Sequence, residues 1–170
     1  MLGAYVVLYA LPQWLEDACA WAPQDAGMVI LPMGVVATIA SLVASRWGSA
    51  RVQYIVCCAA MAFSGAFLCM VDDTSMWYAW VASAVAGATL GLSMSVSQLA
   101  LYERTEDEHI GTASGLLRTF IYLGSIVAAS LGGVFFTPAV TDAGMHAIGV
   151  VVAALGVLAL VFSLIDRGLR

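Results

Sequence analysis

The chain alternates between long apolar stretches and short polar segments. Six apolar stretches approach the roughly 20 residues that an α-helix needs to cross the ~30 Å hydrocarbon core of a membrane. The segments between them concentrate the charges, prolines and turn-forming residues. This pattern predicts an all-α integral membrane protein with six spans, at about residues 1–17, 26–44, 52–71, 76–102, 111–136 and 146–166.

The composition agrees with this pattern and excludes several classes of protein. Apolar residues make up 62% of the 170 residues, charged residues make up 10%, and the mean hydropathy is +0.96. A soluble domain is about 45–50% apolar and about 25% charged. We therefore exclude a soluble enzyme, a disordered tail and a secreted disulfide scaffold.

The polar residues point to neither a nucleic acid nor a cofactor as partner. All six basic residues are arginines and they form no basic run, so binding of nucleic acid is not expected. The four cysteines show no Cys-x-x-Cys or Cys/His spacing. We expect no metal site, no redox motif and no cofactor.

The arginines outside the spans are sorted to one side of the membrane. Five arginines lie in connections two and four and in the C-terminal segment: Arg46, Arg51, Arg104, Arg167 and Arg170. Connections one, three and five carry acids and no arginine. The positive-inside rule makes the arginine side cytoplasmic. The sequence thus predicts a plasma-membrane protein with a cytoplasmic C-terminus. Trp47 would lie at the inner interface, and Trp77, Tyr78 and Trp80 at the outer one.

Three spans carry a face of small or polar residues at helical spacing. In the fifth span this face comprises Gly111, Gly115, Arg118, Tyr122, Ser125, Ala129 and Gly132. In the second span it comprises Gly27, Leu31, Gly34, Thr38, Ser41 and Ser45. In lipid such faces pack on protein or line a cavity. In the fourth span Gly87 and Gly91 allow close helix approach, as does Gly115 in the fifth.

The spans group into two triplets. The third and sixth are almost uniformly apolar and are expected to be peripheral and lipid-facing, whereas two polar stripes place the fourth within protein. Three-helix units of opposite orientation build several transporter folds. The pattern therefore predicts a six-helix bundle of two inverted three-helix repeats.

Arg118 is the most informative single residue. It lies about 10 Å into the fifth span at 1.5 Å per residue, where an isolated arginine must be paired or must extend toward the head groups. Two interpretations remain open: an arginine that reaches the inner head groups, and an arginine of an inner gate or cavity. Glu103, Glu106 and Asp107 are candidate partners.

An intramembrane serine protease is the enzyme alternative, with Ser114 as nucleophile and His146 as base. Thr112 replaces the glycine of the usual motif, and the predicted topology separates the two residues by roughly 25–30 Å. A nucleophile and its base need about 3 Å. We therefore do not expect an enzyme.

Three segments resemble helices of the major facilitator superfamily of transporters. The segments Tyr9–Glu16 (YALPQWLE) and Ala26–Met33 (AGMVILPM) resemble its seventh and eighth helices. The segment Gly111–Arg118 (GTASGLLR) resembles the eleventh helix of the multidrug efflux, or drug:proton antiporter, branch. The second connection resembles a degenerate inner-loop motif in which Ser41 and Ser45 replace a glycine and an aspartate.

The resemblance covers the whole chain as a C-terminal six-helix half. It implies proton-coupled efflux of amphipathic small molecules by alternating access, together with an N-terminal half that is absent here. Substrate would contact Tyr5, Tyr9, Gln13, Met33, Trp80, Ser93 and Tyr122. An inner gate would involve Arg46, Glu103 and Arg118. The alternative is a truncated, non-transporting membrane protein or an assembly partner.

Overall fold

The fold consists of long helices that run back and forth. The computed structural model of the chain describes residues 1–46, 50–72 and 76–165, except for the side chain of Arg104. In these residues it contains six α-helices: α1 (Leu2–Asp17), α2 (Pro23–Ala44), α3 (Ala50–Leu68), α4 (Trp77–Arg104), α5 (Ile110–Phe135) and α6 (Asp142–Ile165). A 3₁₀ turn (Asp107–His109) precedes α5. The expected all-α architecture is confirmed, whereas Trp47, Arg167 and Arg170 lie outside the described residues.

Five of the six helices, α2 to α6, are long and apolar enough to cross a membrane. Helix α1 has 16 residues and is the short element that the sequence predicted. Helix α2 begins three residues earlier than expected because Pro23 occupies its first position, where a missing N–H costs nothing. Helix α6 begins four residues earlier, at Asp142, whose carboxylate favours a helix N-terminus.

Helices α2 and α4 approach each other closely at two glycines of α4. A Cβ atom added to Gly87 would lie 2.2 Å from the carbonyl oxygen of Met33, and one added to Gly91 would lie 2.2 Å from that of Ala37. The contact partner moves four residues forward on α2, from Met33 to Ala37, as the glycine moves four residues forward on α4, so the two helices run parallel. Only glycine permits this approach of backbones. The sequence predicts close helix approach at Gly87 and Gly91 but does not name the partner helix.

Helices α3 and α6 also pack closely through glycines, as an antiparallel pair. A Cβ on Gly65 would lie 2.3 Å from the backbone nitrogen of Ala153, and one on Gly156 would lie 2.5 Å from that of Ala62. The outer faces of both helices are apolar and exposed, with Phe63 at 63% and Phe162 at 71% exposure. These faces match the expected lipid-facing positions.

Helices α1 and α4 occupy the interior of the bundle. Helix α1 contacts α2, α4, α5 and α6. Its buried side chains include Leu11, Trp14 and Leu15. Helix α4 packs on both α2 and α3, and α3 packs on α6. Helix α5 buries only Ala128 and Gly132.

Two side chains join the helix ends on the side of the bundle away from Met1. The indole Nε1 of Trp14 donates to the carboxylate of Asp142 at 2.9 Å, which links the end of α1 to the start of α6. The Nε2 atom of His146 lies 2.7 Å from the carbonyl oxygen of Val71, which links α6 to the end of α3. Trp14 is therefore a buried hydrogen-bond donor rather than an interface anchor.

The small faces of α2 and α5 are largely exposed in this bundle. On α5, Arg118, Tyr122 and Ala129 are exposed, whereas Gly132 at the far end of the same face is buried. The other buried residue, Ala128, lies one position before Ala129, which is about 100° around the helix. On α2 the buried residues Ala26, Met33 and Ala44 each lie one position before a residue of the small face. Gly115 has no atom within 4 Å of an added Cβ, so in this chain it does not pack two helices.

The α2–α4 contact leads to a stability prediction. Replacing Gly87 with alanine forces the two backbones apart, and overpacking of this kind costs about 1–3 kcal/mol. Gly34→Ala is the matched control, because Gly34 lies on the same helix pair with nothing within 4 Å of its added Cβ. Thermal unfolding in detergent, followed by tryptophan fluorescence, should show a lower midpoint for Gly87→Ala. Equal midpoints for the two variants would contradict the contact.

Candidate functional site

A cavity of about 320 Å³ opens between the start of α1, the last turns of α4 and the first half of α5. This volume lies at the lower end of the range for small-molecule sites, about 300–1,000 Å³. Its lining is half polar: Met1, Tyr5, Met94, Ser97, Gln98, Leu101, Tyr102, Ser114, Leu117, Arg118, Ile121 and Tyr122.

Helical spacing on α5 positions the polar wall of this cavity. Ser114, Arg118 and Tyr122 follow one another at intervals of four residues, so their side chains lie on one face, one turn apart. Arg118 lies eight residues after the start of the helix, which is about 12 Å along its axis. Among the described residues no carboxylate forms an ion pair with Arg118. The expected partners Glu103, Glu106 and Asp107 are exposed in and after the end of α4.

The open face of α1 continues from the cavity along the bundle. The rings of Tyr5 and Tyr9 stack with centroids 6.2 Å apart, and Tyr9 is 42% exposed. Gln13 is exposed one turn further, and its Oε1 atom lies 4.0 Å from the position of a Cβ on Gly132. The three α1 residues expected to contact substrate therefore share one accessible stripe that leads away from the cavity.

Two of the expected substrate contacts lie inside the bundle instead. Met33 is 2% exposed because it packs at the α2–α4 contact, next to Gly87. Ser93 is 7% exposed, and its hydroxyl donates to the carbonyl oxygen of Leu90 at 3.0 Å. Ser93 lines a separate small cavity of about 150 Å³ against α3 and α6.

Trp80 lies at the opposite end of the bundle. It lines an open depression of about 440 Å³ with Trp21, Asp25 and Met28. On α4 the stripe that contains Trp80 is interrupted by the α2 contact at Gly87 and Gly91, and it is exposed again at Met94 and Gln98. The crossing helix therefore separates Trp80 from the cavity that contains Tyr5 and Tyr122.

The residues expected at an inner gate all lie at the end of the bundle that holds the cavity. Arg46 follows the end of α2, Glu103 lies in the last turn of α4, and both are exposed. Arg118 lines the cavity itself. The structure brings Arg118 together with Tyr5 and Tyr122, and it places Arg46 in a separate surface depression beside Leu42 and Val43.

The sequence analysis missed the contribution of α4 to this cavity. Gln98 and Tyr102 extend the stripe that begins with Gly87 and Gly91, and Ser97 belongs to the second polar stripe of the same helix. The sequence already places Gln98 on the glycine stripe and Ser97 on the second polar stripe, but neither residue was expected to contact substrate. The signal was present, because polar side chains at helical spacing continue past the glycines.

The arrangement favours binding over catalysis. Ser114 lines the cavity, whereas His146 lies at the other end of the bundle against Val71. Within the described residues, no group of three His, Cys, Asp or Glu side chains could hold a metal ion. The site is a half-polar cavity, and Arg118 is the charged side chain among its described lining residues.

Comparison with known proteins identifies the family. The sequence profile of the Major Facilitator Superfamily matches residues 1–169. The chain is 26% identical over 157 residues to the uncharacterized MFS-type transporter YwoD of Bacillus subtilis, covering 89% of this chain and 34% of that protein. It is 20% identical over 167 residues to the uncharacterized MFS-type transporter YvkA of the same organism, covering 96% and 36%. No solved structure matches.

The chain therefore belongs to the Major Facilitator Superfamily and is a multi-pass membrane protein. This membership points to a transporter rather than an enzyme. The chain spans about a third of the length of the two curated relatives, less than the half that the sequence analysis expected.

The cavity should be filled with water, which chemical labelling can measure. In a variant without the four native cysteines, Ser97→Cys and Ser114→Cys should react with a membrane-impermeant maleimide in lipid nanodiscs. Ala128→Cys should not react, because this position is 1% exposed against α1.

A second control separates water from lipid. Leu116 is 58% exposed on the apolar face of α5, so Leu116→Cys should stay unlabelled in nanodiscs, where a thiolate does not form, and should react in denaturant. Labelling of Leu116→Cys in nanodiscs as fast as that of Ser114→Cys would show that the cavity is no different from the lipid-facing surface.

Proposed function

We propose that this chain is the C-terminal six-helix half of a transporter that exports amphipathic small molecules by alternating access. The single observation that carries the proposal is the half-polar cavity between α1, α4 and α5, in a chain that belongs to a transporter superfamily. Tyrosine rings and a methionine provide apolar contact, and hydroxyl, amide and guanidinium groups provide hydrogen bonds.

The helix contacts support an origin in two inverted three-helix repeats. If α1, α2 and α3 correspond to α4, α5 and α6, the α2–α4 contact in one direction corresponds to the α5–α1 contact in the other. In the same way the α3–α4 contact corresponds to the α6–α1 contact. Each of these contacts is present. Such internal symmetry is how transporter folds of this kind place a site between repeats.

The unpaired faces of α2 and α5 support an N-terminal six-helix half as partner. On α2, Gly27 and Gly34 have nothing within 4 Å of an added Cβ, and the same holds for Gly111 and Gly115 on α5. In lipid, small residues on an open face favour close approach of another helix. The family relatives contain enough additional chain to supply such helices.

The positions of the acidic residues support a proton-coupling carboxylate in the N-terminal half. Among the described residues, the acids lie in the last turn of a helix, at a helix start or in a connection, and none lies in the middle of a span. We infer that the carboxylate for proton coupling belongs to the N-terminal half. Arg46, Glu103 and Arg118 would then serve the inner gate at the cytoplasmic end.

Transport by the chain together with the N-terminal half tests the proposal. In everted vesicles from a host without its own efflux pumps, an acid interior should drive accumulation of ethidium or fluorescein, and a protonophore should abolish it. Tyr122→Ala removes a ring and a hydroxyl from the cavity and should lower the initial rate about three- to tenfold.

The matched control is Leu116→Ala on the apolar face of the same helix, which should keep the parental rate. Equal losses in both variants would contradict a role for the cavity. Absence of transport of either dye by the reconstituted pair of halves would favour the alternative, a non-transporting membrane protein.

The proposed orientation in the plasma membrane makes a separate prediction. Because Arg46 and Arg51 lie at the same end as Met1, we expect this end to face the cytoplasm. A phosphatase fused to the C-terminus should be inactive and a fluorescent protein at the same position should be bright. An active phosphatase would reverse the topology and with it the assignment of the gate.

A further inference from the structure

Among the described residues, the charge that lines the cavity between α1, α4 and α5 is positive only. Arg118 is the only charged side chain among the described residues that line it, and no carboxylate is present in the lining. The other polar groups are the hydroxyls of tyrosine and serine and the amide of Gln98, and all of these can donate a hydrogen bond. The site therefore offers positive charge and donors, without a negative charge to balance them.

The guanidinium of Arg118 is available to a ligand. Among the described residues it has no ion-pair partner, and the acids after α4 do not line the cavity. An unpaired cation at membrane depth is costly, so an anion beside it is favoured. Guanidinium groups bind carboxylate and phosphate through two parallel hydrogen bonds.

The neighbours of Arg118 on α5 complete a site for an anionic head. Ser114 and Tyr122 lie one turn before and one turn after it on the same face, and all three residues line the cavity. Both can donate to oxygen atoms of an acid. A cationic ligand would find no group of opposite charge here and would be repelled by Arg118.

The remaining lining is suited to an apolar tail. Met94 and Leu101 line the cavity from α4, and Leu117 and Ile121 line it from α5. Apolar side chains thus lie beside the polar face within a volume of about 320 Å³, which suits a compact ligand.

We propose that this cavity binds amphipathic anions, with the acidic head on Arg118 between Ser114 and Tyr122 and the apolar part against the α4 and α5 side chains. This inference deepens the proposed function by naming the charge class of the ligand at the same site. Two sources share the chemistry: a free amphipathic acid and the head group of an anionic lipid.

A matched pair of fluorescent probes tests the sign of the preferred charge. Pyrenebutyrate and pyrenebutyl-trimethylammonium have the same apolar body and opposite charges, and their binding is measured on the purified protein in phosphatidylcholine nanodiscs, with empty discs subtracted. The parent protein should bind the anion at least about tenfold more tightly than the cation.

Three variants locate the preference at Arg118. Arg118→Gln should lose about tenfold in affinity for the anion and should bind the cation at least as tightly as the parent does, because the repelling charge is gone. Arg118→Lys should keep most of the preference because it keeps the charge. Arg51→Gln is the matched control, since Arg51 lies on α3 outside the cavity, and it should behave as the parent.

The proposal is overturned if the parent binds both probes equally. It is also overturned if Arg118→Gln weakens both probes alike, or if Arg51→Gln loses as much as Arg118→Gln. Replacing part of the lipid with phosphatidylglycerol distinguishes the two sources. Competition with pyrenebutyrate in the parent but not in Arg118→Gln identifies a lipid head group, and unchanged affinity identifies a free acid; either result supports an anion site.

The proposed anion site and the proposed export can each be contradicted without the other. Anion binding that depends on Arg118, without transport of any dye by the two halves, retains the anion site and contradicts the proposed export. Proton-driven transport without a charge preference at Arg118 retains export and contradicts the anion site.

Discussion

The contact of α2 with α4 at Gly87 and Gly91 is the constraint on which the rest of the bundle depends. Lipid tails are as apolar as leucine, so burial of apolar surface does not hold membrane helices together, and close packing must do so. The carbonyl oxygens of Met33 and Ala37 occupy the space that a side chain would fill. This contact fixes the rotation of α2, and it divides the exposed stripe of α4 into one part with Trp80 and another with Gln98.

The cavity exists because α5 is held at one end only. Its two buried residues, Ala128 and Gly132, lie in its second half, where Gln13 of α1 lies alongside. Toward its start the helix has no such close contact, and the side chains of Tyr5 and Tyr122 face the space between the helices. An unequal contact along one helix pair is thus sufficient to create a site without any loop or lid.

The sequence predicted the helices well, because apolar length reports directly on them. It did not predict which way α5 is rotated. Periodicity distinguishes a small face from an apolar face, but it does not say which positions of a helix at the margin of a bundle are buried, and on α5 these are Ala128 and Gly132. Met33 and Ser93 were assigned to substrate for a related reason: a residue type that suits a cavity also suits a helix contact, and only the packing separates the two.

The position of Arg118 follows from the same geometry. Had α5 turned its small face toward α1, the guanidinium would be buried in the bundle and would need an internal carboxylate, and the described spans contain none in their middle. Because most of the face is turned away from α1, Arg118 is exposed and lines a cavity at the edge of the bundle instead of being buried among helices. The rotation that the sequence could not predict is therefore what makes an arginine tolerable at this depth, and it also leaves that arginine free for a ligand or a gate.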